Sequence, residues 1–132
     1  MNTLAKFPID IATPIPQLPG PHWSLPSDLR DLESTSRDIL SCLINLFIND
    51  ADKRISALTN AATVQDFIRM RAQAHAMKGA SIQMGAAPLA FYCAALEQAA
   101  RDQRSQCGLL VEDVAGEYQY VRREMEAYVS QG

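Results

Sequence analysis

After residue 26 this chain contains a single proline, Pro88, and six glycines serve the whole sequence. That scarcity excludes a fold of many short strands, which needs frequent Gly/Pro turns. Cysteines number three, Cys42, Cys93 and Cys107, and no pair has metal-ligand spacing. The only histidines are His22 and His75, far apart in sequence, so neither a disulfide framework nor a metal cluster is expected. Cys42 and Cys93 fall in apolar helical patterns and read as small buried or half-buried residues in a reducing compartment. Basic excess is lacking too. The net charge is -3, which gives no footprint for nucleic acid. No stretch approaches the roughly 20 apolar residues that cross a bilayer. Asp10 and repeated prolines interrupt the N-terminal apolar residues, so no signal peptide is read there and a soluble, cytoplasmic protein is expected.

What is present divides unevenly. Pro8, Pro14, Pro16, Pro19, Pro21 and Pro26 crowd the beginning, so residues 1–26 read as an extended, proline-rich arm. The arm also carries Leu4, Phe7, Ile9, Ile11, Ile15, Leu18 and Trp23, which a purely solvated linker does not need. Part of it is expected to lie against its own domain or a second copy. Residues 27–130 read as one helical domain.

Within that domain Ser27 can cap a short helix over "DLRDLES", and Ser34 or Ser36 can cap the next. There Leu40, Leu43, Ile44, Phe47, Ala51, Ile55 and Leu58 recur at helical spacing to about Asn60. Thr63, with Asp66 three residues on, resembles a capping box and opens a third helix that runs to Met84. Gly85 is placed to end it, and Pro88 suits the first turn of a fourth helix carrying Leu89, Cys93, Leu96 and Ala100. After the polar "RDQRSQCG" a last helix carries Leu110, Val114, Tyr118, Val121, Met125 and Tyr128. The predicted fold is all-α: an antiparallel up-down four-helix bundle with a short extra N-terminal helix and the proline-rich arm.

The helix through "AHAMKGASIQMGA" has two faces. Phe67, Met70, Ala74, Met77, Ser81 and Met84 follow a 3, 4, 3, 4, 3 spacing and form the core seam. At about 100° per residue, Arg71, Lys78, Gly79 and Ile82 lie within about 60° of His75, away from that seam. Ile68 and Val64 fall within about 20° of the same direction. A helix-interior glycine costs about 1 kcal/mol against alanine. Its place on the histidine's own face reads as clearance for another molecule, and Lys78 puts a cation within reach of an anion on the ring.

The stretch "AHAMKGASIQMGAAPLAFYCAALEQAAR" resembles the signature of histidine phosphotransfer (HPt) domains. The resemblance is carried by Ala74, His75, Lys78, Gly79, Ala80, Ser81, Gly85, Ala86, Leu89, Cys93, Leu96 and Glu97, with Phe47 and Asp66 upstream. It covers roughly residues 30–130 in organisation and is most specific over 74–97. Met77 stands where the family more often has leucine, a volume-conserving change. The resemblance implies that His75 accepts a phosphoryl group from an aspartyl phosphate on a response-regulator receiver domain and passes it to another. The partners it implies are receiver domains and a hybrid sensor histidine kinase. Mg²⁺ is expected on the receiver, with no cofactor and no metal on this chain. Lys78 would contact the phosphoryl oxygens; Arg71, which the family pattern does not require, would add positive field from the same helix face. Gly79 would give the receiver clearance; on the same face Ile82 reads as a docking residue and Val64 as covered by the short helix and arm, with Ile68 open between docking and cover. The chain would be a stoichiometric carrier without its own ATP site, monomeric rather than dimeric. The alternatives are the phosphoacceptor domain of a chemotaxis-type kinase, and an HPt-like module that binds or inhibits a kinase without carrying phosphate. His22 reads as a loop residue. Glu97 could orient a lysine, but reads rather as a surface or inter-helix salt bridge.

Overall fold

The computed structural model describes residues 21–131. Two single helical turns, α1 (Ser27–Arg30) and α2 (Leu32–Thr35), precede four long helices: α3 (Arg37–Thr63), α4 (Phe67–Met84), α5 (Ala87–Arg101) and α6 (Cys107–Ser130). No strand occurs among the described residues. Each long helix packs against the next, and α6 closes the ring against α3. Arg37 at the start of α3 donates to the Tyr128 carbonyl near the end of α6, and Arg54 of α3 reaches Gln73 of α4. The topology is therefore the predicted up-down-up-down bundle.

The periodic apolar positions converge on one core. Leu40, Ile44, Leu58, Met70, Ala74, Met77, Leu89, Cys93, Leu96, Val114, Tyr118, Val121 and Met125 are all fully or almost fully buried. Phe67 and Met84, the two ends of the α4 seam, are half-buried. The expected burial of Cys42 is not found: it is exposed, while Cys93 and Cys107 are buried. Cys42 lies on the outer side of α3, a turn from the exposed Ile39 and Leu46.

Three corners join the helices, and all three use one device. A residue one or two positions past the helix end takes a left-handed conformation: Gln65 (φ 54°), Gly85 (φ 84°) and Gln103 (φ 53°). In each, that residue and its successor donate back to carbonyls of the last turn. The pairs are Gln65 to Ala62 and Asp66 to Ala61, Gly85 to Ile82 and Ala86 to Ser81, and Gln103 to Ala100 and Arg104 to Ala99. This is the Schellman pattern, which satisfies carbonyls that a helix end leaves without partners. It also corrects the expected capping box. Thr63 is the last residue of α3, and Asp66 itself caps α4, its carboxylate accepting from the Arg69 amide at 3.0 Å. Ser36 occupies the N-cap position of α3 without a side-chain capping bond.

Residues 21–26 run across the α4–α5 corner. The Trp23 indole N–H donates to the Met84 carbonyl at 2.7 Å, and the Ser24 amide donates to the Gly85 carbonyl at 3.1 Å. His22 stacks on Tyr120 with ring centroids 4.4 Å apart and meets Glu117 of α6 at 2.7 Å, so this loop residue is anchored. The expected short helix is split into α1 and α2, which lead to the start of α3, where Glu33 meets the Tyr128 hydroxyl. That is the end of the bundle opposite the α3–α4 corner, so α1 and α2 do not cover Val64, which is 73% exposed. The arm's share in that expected cover, residues 1–20, lies outside the described residues.

The strap explains why the α4–α5 corner needs glycine while the others accept glutamine. A Cβ on Gly85 would collide with the Ser24 carbonyl, besides occupying a left-handed conformation. Gly85→Ala is expected to lose about 2 kcal/mol or more in urea unfolding. Gly79→Ala, whose Cβ would enter open space, is expected to gain about 1 kcal/mol. Equal effects at both positions would remove the strap from this account.

Candidate functional site

The α4 seam buries Met70, Ala74, Met77 and Ser81, which turns His75 outward. The His75 side chain is 69% exposed, and its Nδ1 lies 2.9 Å from Oε2 of Glu97 on α5. Lys78, one turn on, places Nζ 2.7 Å from Oε1 of the same carboxylate. Arg101, one turn after Glu97 on α5, stands farther off at 3.8 Å from Oε2. Glu97 is only 7% exposed. An unpaired carboxylate buried to that degree would be strongly unfavourable, and the direct contacts of Lys78 and His75 compensate it. The Lys78 ammonium, bonding to Glu97, holds its carboxyl below the ordinary carboxylate value, burial opposes this, and His75 adds to the lowering.

The ionised carboxylate decides the histidine's chemistry. A carboxylate only accepts hydrogen bonds, so Nδ1 carries the hydrogen and donates it to Glu97. The lone pair of the neutral ring then sits on Nε2, at the exposed edge. The site presents one free imidazole nitrogen, of fixed tautomer and orientation, with an ammonium close by. The neighbouring thiol takes no part: burial, followed by the Glu97 charge, pushes Cys93 up to about 12.

The other expected residues lie on the same side of α4. Arg71 and Gly79 are exposed, and a Cβ at Gly79 would meet nothing within 4 Å. Ile68 and Ile82 are 84% and 63% exposed, among the most open apolar side chains of the described residues. His22 is remote from this cluster, on the α6 side of the strap. Sequence reasoning underweighted Glu97. It is the inter-helix salt bridge expected, but buried, and it grips the histidine as well as the lysine. A glutamate within the apolar "AALEQAA" run, at a core-facing position of α5, was the available signal.

The bundle thus presents an exposed imidazole, held on one side by a buried carboxylate, to whatever docks on the outer face of α4. The Hpt domain family matches residues 43–130, two thirds of the chain, and the chain belongs to that family. It is also similar to a solved structure, histidine-containing phosphotransfer protein B (HptB) from Pseudomonas aeruginosa PAO1, at 30% identity and a TM-score of 0.77. That similarity covers 86% of this chain and 98% of the other. No curated protein matches. Among the described residues no helix is long and apolar enough to cross a membrane, and no three or more histidine, cysteine or acidic side chains are grouped to hold a metal ion.

Because the folded carboxyl of Glu97 titrates below the unfolded one, its stabilisation is present above the unfolded pKa of about 4.3 and is lost as pH falls through the folded value. Glu97→Gln is therefore expected to be less stable than the parent at pH 7 by about 1–3 kcal/mol, with the gap narrowing below about pH 4. Urea unfolding at both pH values measures this. A gap that does not change with pH would contradict the ionised pair.

Proposed function

We propose that this chain is a phosphoryl carrier of a two-component relay, with His75 as the phosphoacceptor. One observation carries the reading: Nδ1 of the exposed His75 lies 2.9 Å from the Glu97 carboxylate, which accepts its hydrogen and leaves Nε2 as the nucleophile. The Nε2 lone pair attacks the phosphorus of an aspartyl phosphate on a receiver domain. The N–P bond forms as the O–P bond breaks, and the aspartate leaves with the bonding pair. The ring gains positive charge as Nε2 gives up its lone pair, and the Glu97 carboxylate, still accepting from Nδ1–H, offsets that charge. The reverse step delivers the group to a second receiver.

Phosphoryl transfer depends chiefly on positioning and electrostatics, so a rigid helix presenting the ring is a sufficient contribution from this side. The receiver supplies Mg²⁺ and its own acidic site. Lys78 turns from Glu97 to the phosphoryl oxygens, and Arg71 adds positive field. Gly79 leaves room for the receiver's backbone, while Ile68 and Ile82 dock on its apolar surface. A hybrid sensor kinase and response regulators are the partners of such a carrier, which acts as a monomer, stoichiometrically, without binding ATP.

Incubation with phosphoramidate, a chemical phosphodonor, or with a phosphorylated receiver is expected to give acid-labile, base-stable label on the wild type and none on His75→Gln. Equal labelling of the two would overturn the assignment. Gly79→Gln is expected to gain about 0.5 kcal/mol in stability. It should also slow transfer from the receiver about tenfold or more, because the added side chain displaces the docked partner. Labelling by phosphoramidate, a small donor, should change little. Unimpaired transfer from the receiver would remove the clearance role of the glycine.

A further inference from the structure

Glu97 meets two cations of unequal commitment. Lys78 is in full contact at 2.7 Å, whereas Arg101 waits at 3.8 Å with a side chain 47% exposed. A weak contact to the Gln98 carboxamide, 3.4 Å, holds the guanidinium aside. Arg101 is not among the groups that lower the Glu97 carboxyl in this state; Lys78 and His75 are. The carrier reading creates a charge problem that this arrangement answers. A phosphoryl group brings about -1.5 to -2 charges, by analogy with phosphoserine, and draws Lys78 toward it. The carboxylate that Lys78 leaves is buried, and a buried charge that loses its partner is strongly destabilising. Histidine cannot fill the gap alone, since its one Nδ1 hydrogen is already on Oε2.

We propose that Arg101 is the reserve counter-ion of Glu97: it closes onto the carboxylate when Lys78 moves to the phosphoryl group on His75. The inference rests on His75 being the phosphoacceptor. Geometry permits the exchange, because Arg101 and Glu97 lie one turn apart on α5 and the gap to close is about the difference between a loose and a direct charged hydrogen bond. The planar guanidinium suits a carboxylate better than a second ammonium would. Arg101 is a positioning residue: it keeps Glu97 ionised, and Glu97 keeps the ring's orientation and tautomer through the phosphorylated state.

The test uses the full chain, phosphorylated with phosphoramidate, and follows the Arg101 Nε–H signal by NMR. Phosphorylation is expected to shift and protect that signal. Lys78→Met should place it in the same position without phosphate, because the lysine's departure is what calls the arginine in. In Glu97→Gln, phosphorylation should leave it unmoved. Arg101→Gln should shorten the phosphohistidine half-life at neutral pH about fivefold, the effect an exposed charge pair supports, with unchanged unfolding of the free protein. Arg101→Lys, which keeps the charge without the planar fork, should restore part of the half-life. A signal indifferent to phosphorylation would overturn the proposal. So would a signal that still moves in Glu97→Gln, which would put Arg101 on the phosphoryl group instead. Absence of label on His75 in the wild type would instead overturn the carrier reading.

Discussion

The carboxylate of Glu97, buried at the α4–α5 seam with the Lys78 ammonium 2.7 Å from one oxygen and His75 Nδ1 2.9 Å from the other, couples packing to chemistry. Burial makes the charge expensive to leave unpaired, so lysine and histidine are drawn to it from the neighbouring helix. Because a carboxylate can only accept, the same contact sets which imidazole nitrogen is free. A surface carboxylate would be satisfied by water and would hold neither group so firmly.

That contact requires α4 and α5 to keep a fixed register, and the short corner between them supplies it. Gly85 turns the chain in a left-handed conformation, and the Trp23–Ser24 strap seals the corner by bonding to the carbonyls of Met84 and Gly85. His22, stacked on Tyr120, ties the strap to α6. On the opposite side of the core, the Tyr118 hydroxyl reaches Asp52 at 2.6 Å and Arg122 holds the same carboxylate, joining α6 to α3. The site is thus on a rigid element, and its outward face, from Ile68 through His75 and Gly79 to Ile82, remains open.

The two glycines that follow His75 and Lys78 do different work. Gly85 is required by backbone conformation and by the Ser24 carbonyl pressed against it. Gly79 meets nothing within the described residues, so helix packing does not account for it. A residue that lowers helix propensity without a structural return is the kind of local inconsistency that functional surfaces carry.

Period alone made much of this protein legible. The 3.6-residue rhythm separates the methionine seam of α4 from the histidine face, and Pro88 and Gly85 mark a corner through their own restricted or permissive φ. Those are local properties, carried by each residue wherever the chain goes. The breaks near Thr63–Asp66 and at "RDQRSQCG" were legible, but the left-handed turns at Gln65 and Gln103 were not, because glutamine has no special φ and adopts the left-handed one only when the helix-end hydrogen bonds hold it there. Val64 was expected under cover, but α1 and α2 lie at the other end of the bundle, a placement set by packing on α3 and α6. Glu97 belongs with these. Its spacing within α5 places it beside the core, but whether it meets a histidine, a lysine or water depends on the rotation and height of α5 against α4. Contacts between elements arise from the joint packing of the whole core, and no period in one helix encodes them.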